Sequence, residues 1–224
     1  MFFRKPKPRA DFIVFGLGNP GPKYERTRHN CGFMAIDSLR EFFPALRATR
    51  KWHSEVMELR LDCEKALPVM RAAAEEGKGF FVADGTETIA GLKRVLLVKP
   101  QLFMNLSGRA IAATVNANPG VPFVVVLDDV NMEWGRLRLR ERGGGGGHKG
   151  MKSIIDQIGG RKDFPRLRIG VGGGDLPDVT DYVLKRLNDR EYTEARRFCR
   201  VAGVKALEIA CIGFNAAASS TFGQ

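Results

Sequence analysis

The chain has 224 residues, 44% of them hydrophobic and 27% charged, a balance ordinary for a globular protein with one substantial core. No apolar run approaches the roughly 18 residues of a membrane span, so an integral membrane protein is not expected. Lys and Arg outnumber Asp and Glu by 36 to 25, and the net charge of +11 points to a polyanionic partner, with a solubilising surface as the plain alternative.

Runs rich in Val, Ile and Phe predict strands at 12–17, 55–61, 79–83, 94–98, 123–128, 136–140 and 166–171. Helical periodicity covers 28–43, 103–117, 149–158 and 190–213, with a shorter helix near 178–187. In the helix after the glycine run, Met151, Ile154, Ile155 and Ile158 make a clean apolar face. Strands interleaved with helices argue for an α/β fold, a largely parallel sheet flanked by helices. Residues 11–224 read as a single domain. The basic start, residues 1–10, is an extension that reads equally as a remnant of an organellar targeting segment or a frayed end. Residues 62–92 are the least regular stretch and read as an insertion. Cys31, Cys63, Cys199 and Cys211 have neither C-x-x-C nor metal-ligand spacing, and are expected to be reduced thiols in a cytosol-like compartment with no zinc site.

Chemistry concentrates first in Gly16–Asn30, which follows an apolar strand and enters a helix. Gly16-x-Gly18-x-x-Gly21 fits a dinucleotide pattern on paper but fails in detail. Pro20 and Pro22 bracket the last glycine, and the acidic residue expected about 20 positions on is matched only by Asp37, inside a helical pattern. His29 follows Thr27, a candidate N-cap, at a helix start. Asp128 and Asp129 end the strand Val124–Leu127, at the end where α/β sites collect. An Asp accepting from one imidazole nitrogen leaves the other as a general base, although no spacing brings the two together. Asn105 lies near a helix start, where its amide serves either as a cap or as a donor to a developing oxyanion.

A second concentration is basic. From Gly135 to Arg168 there are ten Lys or Arg against three Asp or Glu. Period-2 alternation puts Arg136, Arg138 and Arg140 on one face, and Arg166 and Arg168 alternate in the same way. With Lys149 and Lys152 at the next helix start, this reads as an anion site or as a solvated sheet edge.

Taken together, GLGNPGPKYERTRHNCGF, VKPQLFMNLSGRA, VVVLDDVNMEWGRLRLR, GGGHKGMKSII and FPRLRIGVG resemble the bacterial-type peptidyl-tRNA hydrolases, in the family's order and over nearly the whole chain. The resemblance implies a single α/β globule around a mixed, mostly parallel sheet. It implies an esterase that cleaves the bond between a stalled peptide and its tRNA, with no cofactor or metal. His29 corresponds to the general base and Asp128 to its orienting partner. Asn19 and Asn105 correspond to the pair holding the peptide backbone and the reacting carbonyl. Tyr24 and Met104 correspond to groove-lining positions, and Arg140 and Arg168 to the pair gripping the tRNA 5′ phosphate. The partners implied are tRNA and, beyond it, the ribosome or other RNA, with no membrane and a monomeric chain.

Two positions depart from the family pattern. Lys149 stands where the family has the Asn of His-Asn-Gly, a substrate-binding position, and exchanges a donor and acceptor for a cation that only donates, which either weakens recognition of the tRNA acceptor end or supplies an extra phosphate contact. The insertion at 62–92 is longer than the compact bacterial hairpin. Both suggest a divergent member, in an organelle rather than the cytosol. Relatives recruited as RNA-binding factors supply the alternative, a non-catalytic RNA- or ribosome-associated role.

Overall fold

Phe12–Gly16 forms β1, and every one of its residues is buried, because it is the central strand of the sheet. The computed structural model describes residues 10–77, 92–172 and 178–223. Within them the elements are β1, α1 (Cys31–Leu39), β2 (Ala48–Lys51), β3 (Ser54–Leu61), α2 (Cys63–Glu76), β4 (Lys93–Pro100), α3 (Ser107–Ala117), β5 (Phe123–Asp129), β6 (Leu137–Arg140), α4 (Lys149–Gln157), β7 (Arg166–Gly170), α5 (Val179–Leu184), α6 (Asp189–Ile212) and α7 (Phe214–Ser219).

The seven strands make one mixed sheet in the order β2-β3-β4-β1-β5-β7-β6. β4, β1, β5 and β7 are parallel, and antiparallel strands finish both edges. Strand alternation splits the core in two. Phe12, Val14, Val124 and Val126 pack against α1, α2 and α6, whereas Ile13, Phe15, Phe123 and Val125 pack against α3 and α4. The α/β fold expected from the sequence is therefore present, as a single domain with helices on both faces. No helix among the described residues is long and apolar enough to cross a membrane.

Three elements differ from expectation. β2 is exposed along its whole length, so its sequence Ala-Thr-Arg-Lys carries no apolar alternation to betray an edge strand. Residues 63–76, read as irregular, form the regular helix α2. Pro68 interrupts its pattern, but Ala66, Leu67, Met70, Ala73 and Ala74 still bury one face and Asp62 caps its start. The short helix α7, rich in alanine, was not anticipated. The strand expected at 79–83 and residues 1–9 of the basic extension lie outside the described residues.

The expectation of four reduced thiols is also corrected. Cys63, the first residue of α2, is bonded to Cys211 near the end of α6, with Cα atoms 5.5 Å apart and 148 residues between them. Only the packing of α2 on α6 brings so distant a pair together. Cys31 and Cys199 are free and buried. A hydrogen bond with Cys199 and burial push the Cys31 thiol well above its ordinary value, which keeps it unreactive. Thiol titration of the denatured chain is expected to find two thiols without reductant and four after reduction. Cys63→Ser should lower stability by roughly 2–5 kcal/mol in urea unfolding without reductant.

Candidate active site

The Gly16–Asn30 segment is shaped by close packing rather than by phosphate. A Cβ at Gly16 would lie 2.2 Å from the carbonyl oxygen of Gly32, and one at Gly32 would lie 2.3 Å from the backbone nitrogen of Leu17. Glycine at both positions lets the first turn of α1 press directly on the end of β1. Asn30, buried at this helix start, then staples the loop. Its Oδ1 accepts from the Asn19 N–H at 2.8 Å and its Nδ2 donates to the Asn19 carbonyl at 3.0 Å. The Asn19 side chain in turn accepts from the Met104 N–H at 2.8 Å. That bond settles which way the amide points and leaves its NH2 to donate. Thr27 does not cap the helix as its position suggested, because its hydroxyl donates to the Tyr24 carbonyl instead.

His29 follows in a single turn of 3-10 helix, facing the carboxyl end of β5. Its Nδ1 lies 3.0 and 2.9 Å from the two oxygens of Asp128, so Nδ1 carries the proton and Nε2 keeps its lone pair. Asp128 accepts a second time, from Nε2 of His148 at 3.1 Å. On its other side, His148 is the N-cap of α4: its Nδ1 accepts from the N–H groups of Gly150 and Met151 at 3.1 and 3.3 Å. An imidazole accepting at Nδ1 and donating at Nε2 is neutral and fixed in one tautomer. The two imidazole rings sit 4.8 Å apart between centroids.

His29, Asp128 and His148 also bring three possible ligand atoms within 4.8 Å of one another. The hydrogen bonding does not suit a cation. A metal on Nε2 of His148 needs the ring proton on Nδ1, where two backbone N–H groups already point. The cluster is built to hold protons.

A cleft of about 730 Å³ opens over this cluster. Asn19, Tyr24, His29, Met104, Asn105, Asp128, Lys149 and Arg168 all line it, so eight of the residues singled out from sequence meet in one place. Arg140, at the end of edge strand β6, and Lys152, on α4, are exposed and stand outside it. Arg168 is paired with Asp129 at 3.1 Å. Arg166 departs from the basic face expected of it. It is buried, and its guanidinium donates to the carbonyls of Gly143, Gly144, Lys162 and Phe164, so it anchors the glycine run instead of facing solvent.

Sequence reasoning passed over three contributors. His148 is one of only three histidines and opens a helix after a glycine run, which was the available signal. Asn30 had no signal beyond adjacency to His29. Arg28 is buried with its guanidinium 4.4 Å from the Tyr182 ring and Nη2 2.6 Å from Glu191. It thereby ties α5, one wall of the cleft, and α6 to the His29 turn.

Burial alone pushes Asp128 up, but the electrostatic attraction of His29 and His148 and the hydrogen bonds they donate outweigh it and hold the carboxyl well below the usual carboxylate range. A depressed folded-state value stabilises the protein above the unfolded value, near ~3.9, and that contribution is lost as pH falls through the folded one. Urea unfolding of wild type and Asp128→Asn is therefore expected to show a stability gap that holds above pH ~4 and narrows below it.

The chain is similar to known proteins in sequence and fold. A family model described as peptidyl-tRNA hydrolase matches residues 13–223. The chain is 36% identical to a chloroplastic peptidyl-tRNA hydrolase of Arabidopsis thaliana over 221 residues, covering 96% of this chain and 66% of that protein. It is 39% identical to a peptidyl-tRNA hydrolase of Carboxydothermus hydrogenoformans over 209 residues, covering 92% of this chain and 95% of the relative. A crystal structure of peptidyl-tRNA hydrolase from Acinetobacter baumannii superposes with a TM-score of 0.70 at 25% identity, over 98% of this chain and 97% of that one. With a family match over nearly its entire length and relatives this similar, the chain belongs to the peptidyl-tRNA hydrolase family.

Proposed function

We propose that this chain hydrolyses the ester joining a peptide to the 3′ end of tRNA, with His29 as the general base. The observation that carries the reading is the double acceptance by Asp128, which accepts a hydrogen bond from the Nδ1–H of His29, holds the proton on that nitrogen and so leaves the Nε2 lone pair for water. His29 removes a proton from water as its oxygen attacks the ester carbonyl. The tetrahedral intermediate then collapses, and the imidazolium returns the proton to the departing ribose oxygen. The products are a peptide carboxylate and a tRNA with a free 3′ end.

The NH2 of Asn19, freed by the Met104 bond, and the amide of exposed Asn105 are donors suited to the reacting carbonyl and the peptide backbone. Tyr24 and Met104 wall the peptide's path. Arg140, Lys152 and Arg168 serve the phosphates, which position an RNA without reading its sequence. The relatives named peptidyl-tRNA hydrolase support tRNA as the partner. A purely RNA-binding scaffold has no use for two imidazoles locked onto one buried carboxylate, and this argues against the alternative role. The reading extends to a monomer that meets the ribosome as a further partner, and to an organellar stroma or matrix, which the chloroplastic relative supports.

Purified protein is expected to release peptide from N-acetyl-aminoacyl-tRNA. His29→Ala should lower kcat by about two to four orders of magnitude, the span of general-base loss, with KM little changed. Asp128→Asn should lower kcat as well, because a carboxamide permits the wrong His29 tautomer. Turnover in His29→Ala equal to wild type would end the assignment.

A further inference from the structure

Among the described residues, every charge lining the cleft except one is paired with a group of opposite charge or an imidazole. Asp128 accepts from His29 and His148, and Asp129 is paired with Arg168. Lys149 is the exception. Its ammonium donates to the hydroxyl of Thr180 at 3.2 Å, from the start of α4 to α5 across the cleft wall. No carboxylate among the described residues pairs with it. Nor is it placed to stabilise its own helix, because a cation in the first turn opposes the helix dipole.

Resting on the esterase reading above, we propose that Lys149 binds the phosphodiester immediately before the terminal nucleoside of the substrate. Lys149 and Lys152 stand three residues apart on α4 and so share a helix face. Lys152 lies outside the cleft and Lys149 inside it, so the pair continues the outer basic ridge inward toward the ester. His148, the preceding residue, already holds Asp128, which keeps the start of α4 in register with His29. A phosphodiester is present on every peptidyl-tRNA, whereas a carboxylate on the peptide varies with its sequence. The bond to neutral Thr180 is the weaker one. The ammonium exchanges it for a charge-assisted bond when the RNA strand enters. An asparagine here could hydrogen-bond but would bring no charge.

The test compares wild type, Lys149→Asn and Thr180→Val on N-acetyl-aminoacyl-tRNA between about 50 and 200 mM salt. Lys149→Asn is expected to raise KM about 3- to 10-fold with kcat little changed, and to flatten the slope of log(kcat/KM) against log[salt] by about 0.7, one single-strand phosphate contact. Thr180→Val should leave the slope as in wild type. Two short substrates locate the contact: an N-acetyl-aminoacyl ester of adenosine, which has no phosphate, and the same ester of cytidylyl-adenosine, which has a single phosphodiester. Wild type should prefer the second, and Lys149→Asn should lose that preference. An equal loss on both substrates assigns Lys149 to the peptide or sugar and overturns the proposal, as does an unchanged salt slope. If wild type shows no turnover, the esterase reading fails by itself, and binding of an uncharged ACCA oligonucleotide decides the matter. Weaker, less salt-sensitive binding by Lys149→Asn supports the phosphate contact, and equal binding refutes it.

Discussion

A single buried carboxylate organises the functional half of this molecule. The Asp128 side chain is 2% exposed, and an ionised group in that position costs several kcal/mol unless hydrogen bonds repay it. Two imidazoles do so, from opposite directions. One belongs to the turn after β1 and the other caps α4, so the carboxylate couples two loops that are 119 residues apart at His29 and His148. Each imidazole is oriented by the bond it makes, and each needs the other nitrogen for a different task. His29 keeps a free lone pair, while His148 spends its own on the start of a helix.

The sheet explains why these groups meet at all. The chain leaves β1 toward β4 on one side and later returns to β5 on the other, so the carboxyl end of β1 is a point where the winding changes direction. Crevices form at such points, outside the carboxyl ends of parallel strands. The Asn19 turn follows β1, the Met104 turn follows β4, and Asp128 lies in the last two residues of β5. Gly16 and Gly32 bring α1 close enough for the next residues to line the crevice.

The basic side is built against local preference. Arg138 stands directly opposite Arg168, and Arg140 opposite Arg166, an arrangement in which like charges repel. Lys149 opposes the dipole of α4. The structure relieves part of this by pairing Arg168 with Asp129 and by turning Arg166 inward onto four carbonyls. What remains is exposed and positive. Such local conflicts gather where a protein meets a ligand of opposite charge.

Much of this was readable beforehand, and the limits have physical causes. Parallel central strands are continuous apolar runs, and α4 and α6 carry strong 3.6-residue periodicity, so their positions follow from burial alone. β2 and α2 escaped notice because an exposed edge strand and a helix with Pro68 inside its apolar pattern lack that signature. The roles of His29 and Asp128 were legible as types of chemistry at strand and helix ends, but not as a pair. His148 was hidden because a histidine beside glycines looks like part of a loop until its Nδ1 is seen to cap α4. Sequence by itself determined the α/β class, the excess of positive charge and the residue types available for proton transfer, since these depend on composition and short-range periodicity. The tertiary structure alone decided that Asp128 accepts from two histidines, that Cys63 meets Cys211, that Arg166 faces inward and that Lys149 reaches Thr180 across the cleft wall. Each of these joins groups distant along the chain, and only the packing of helices on the sheet sets the distances between them.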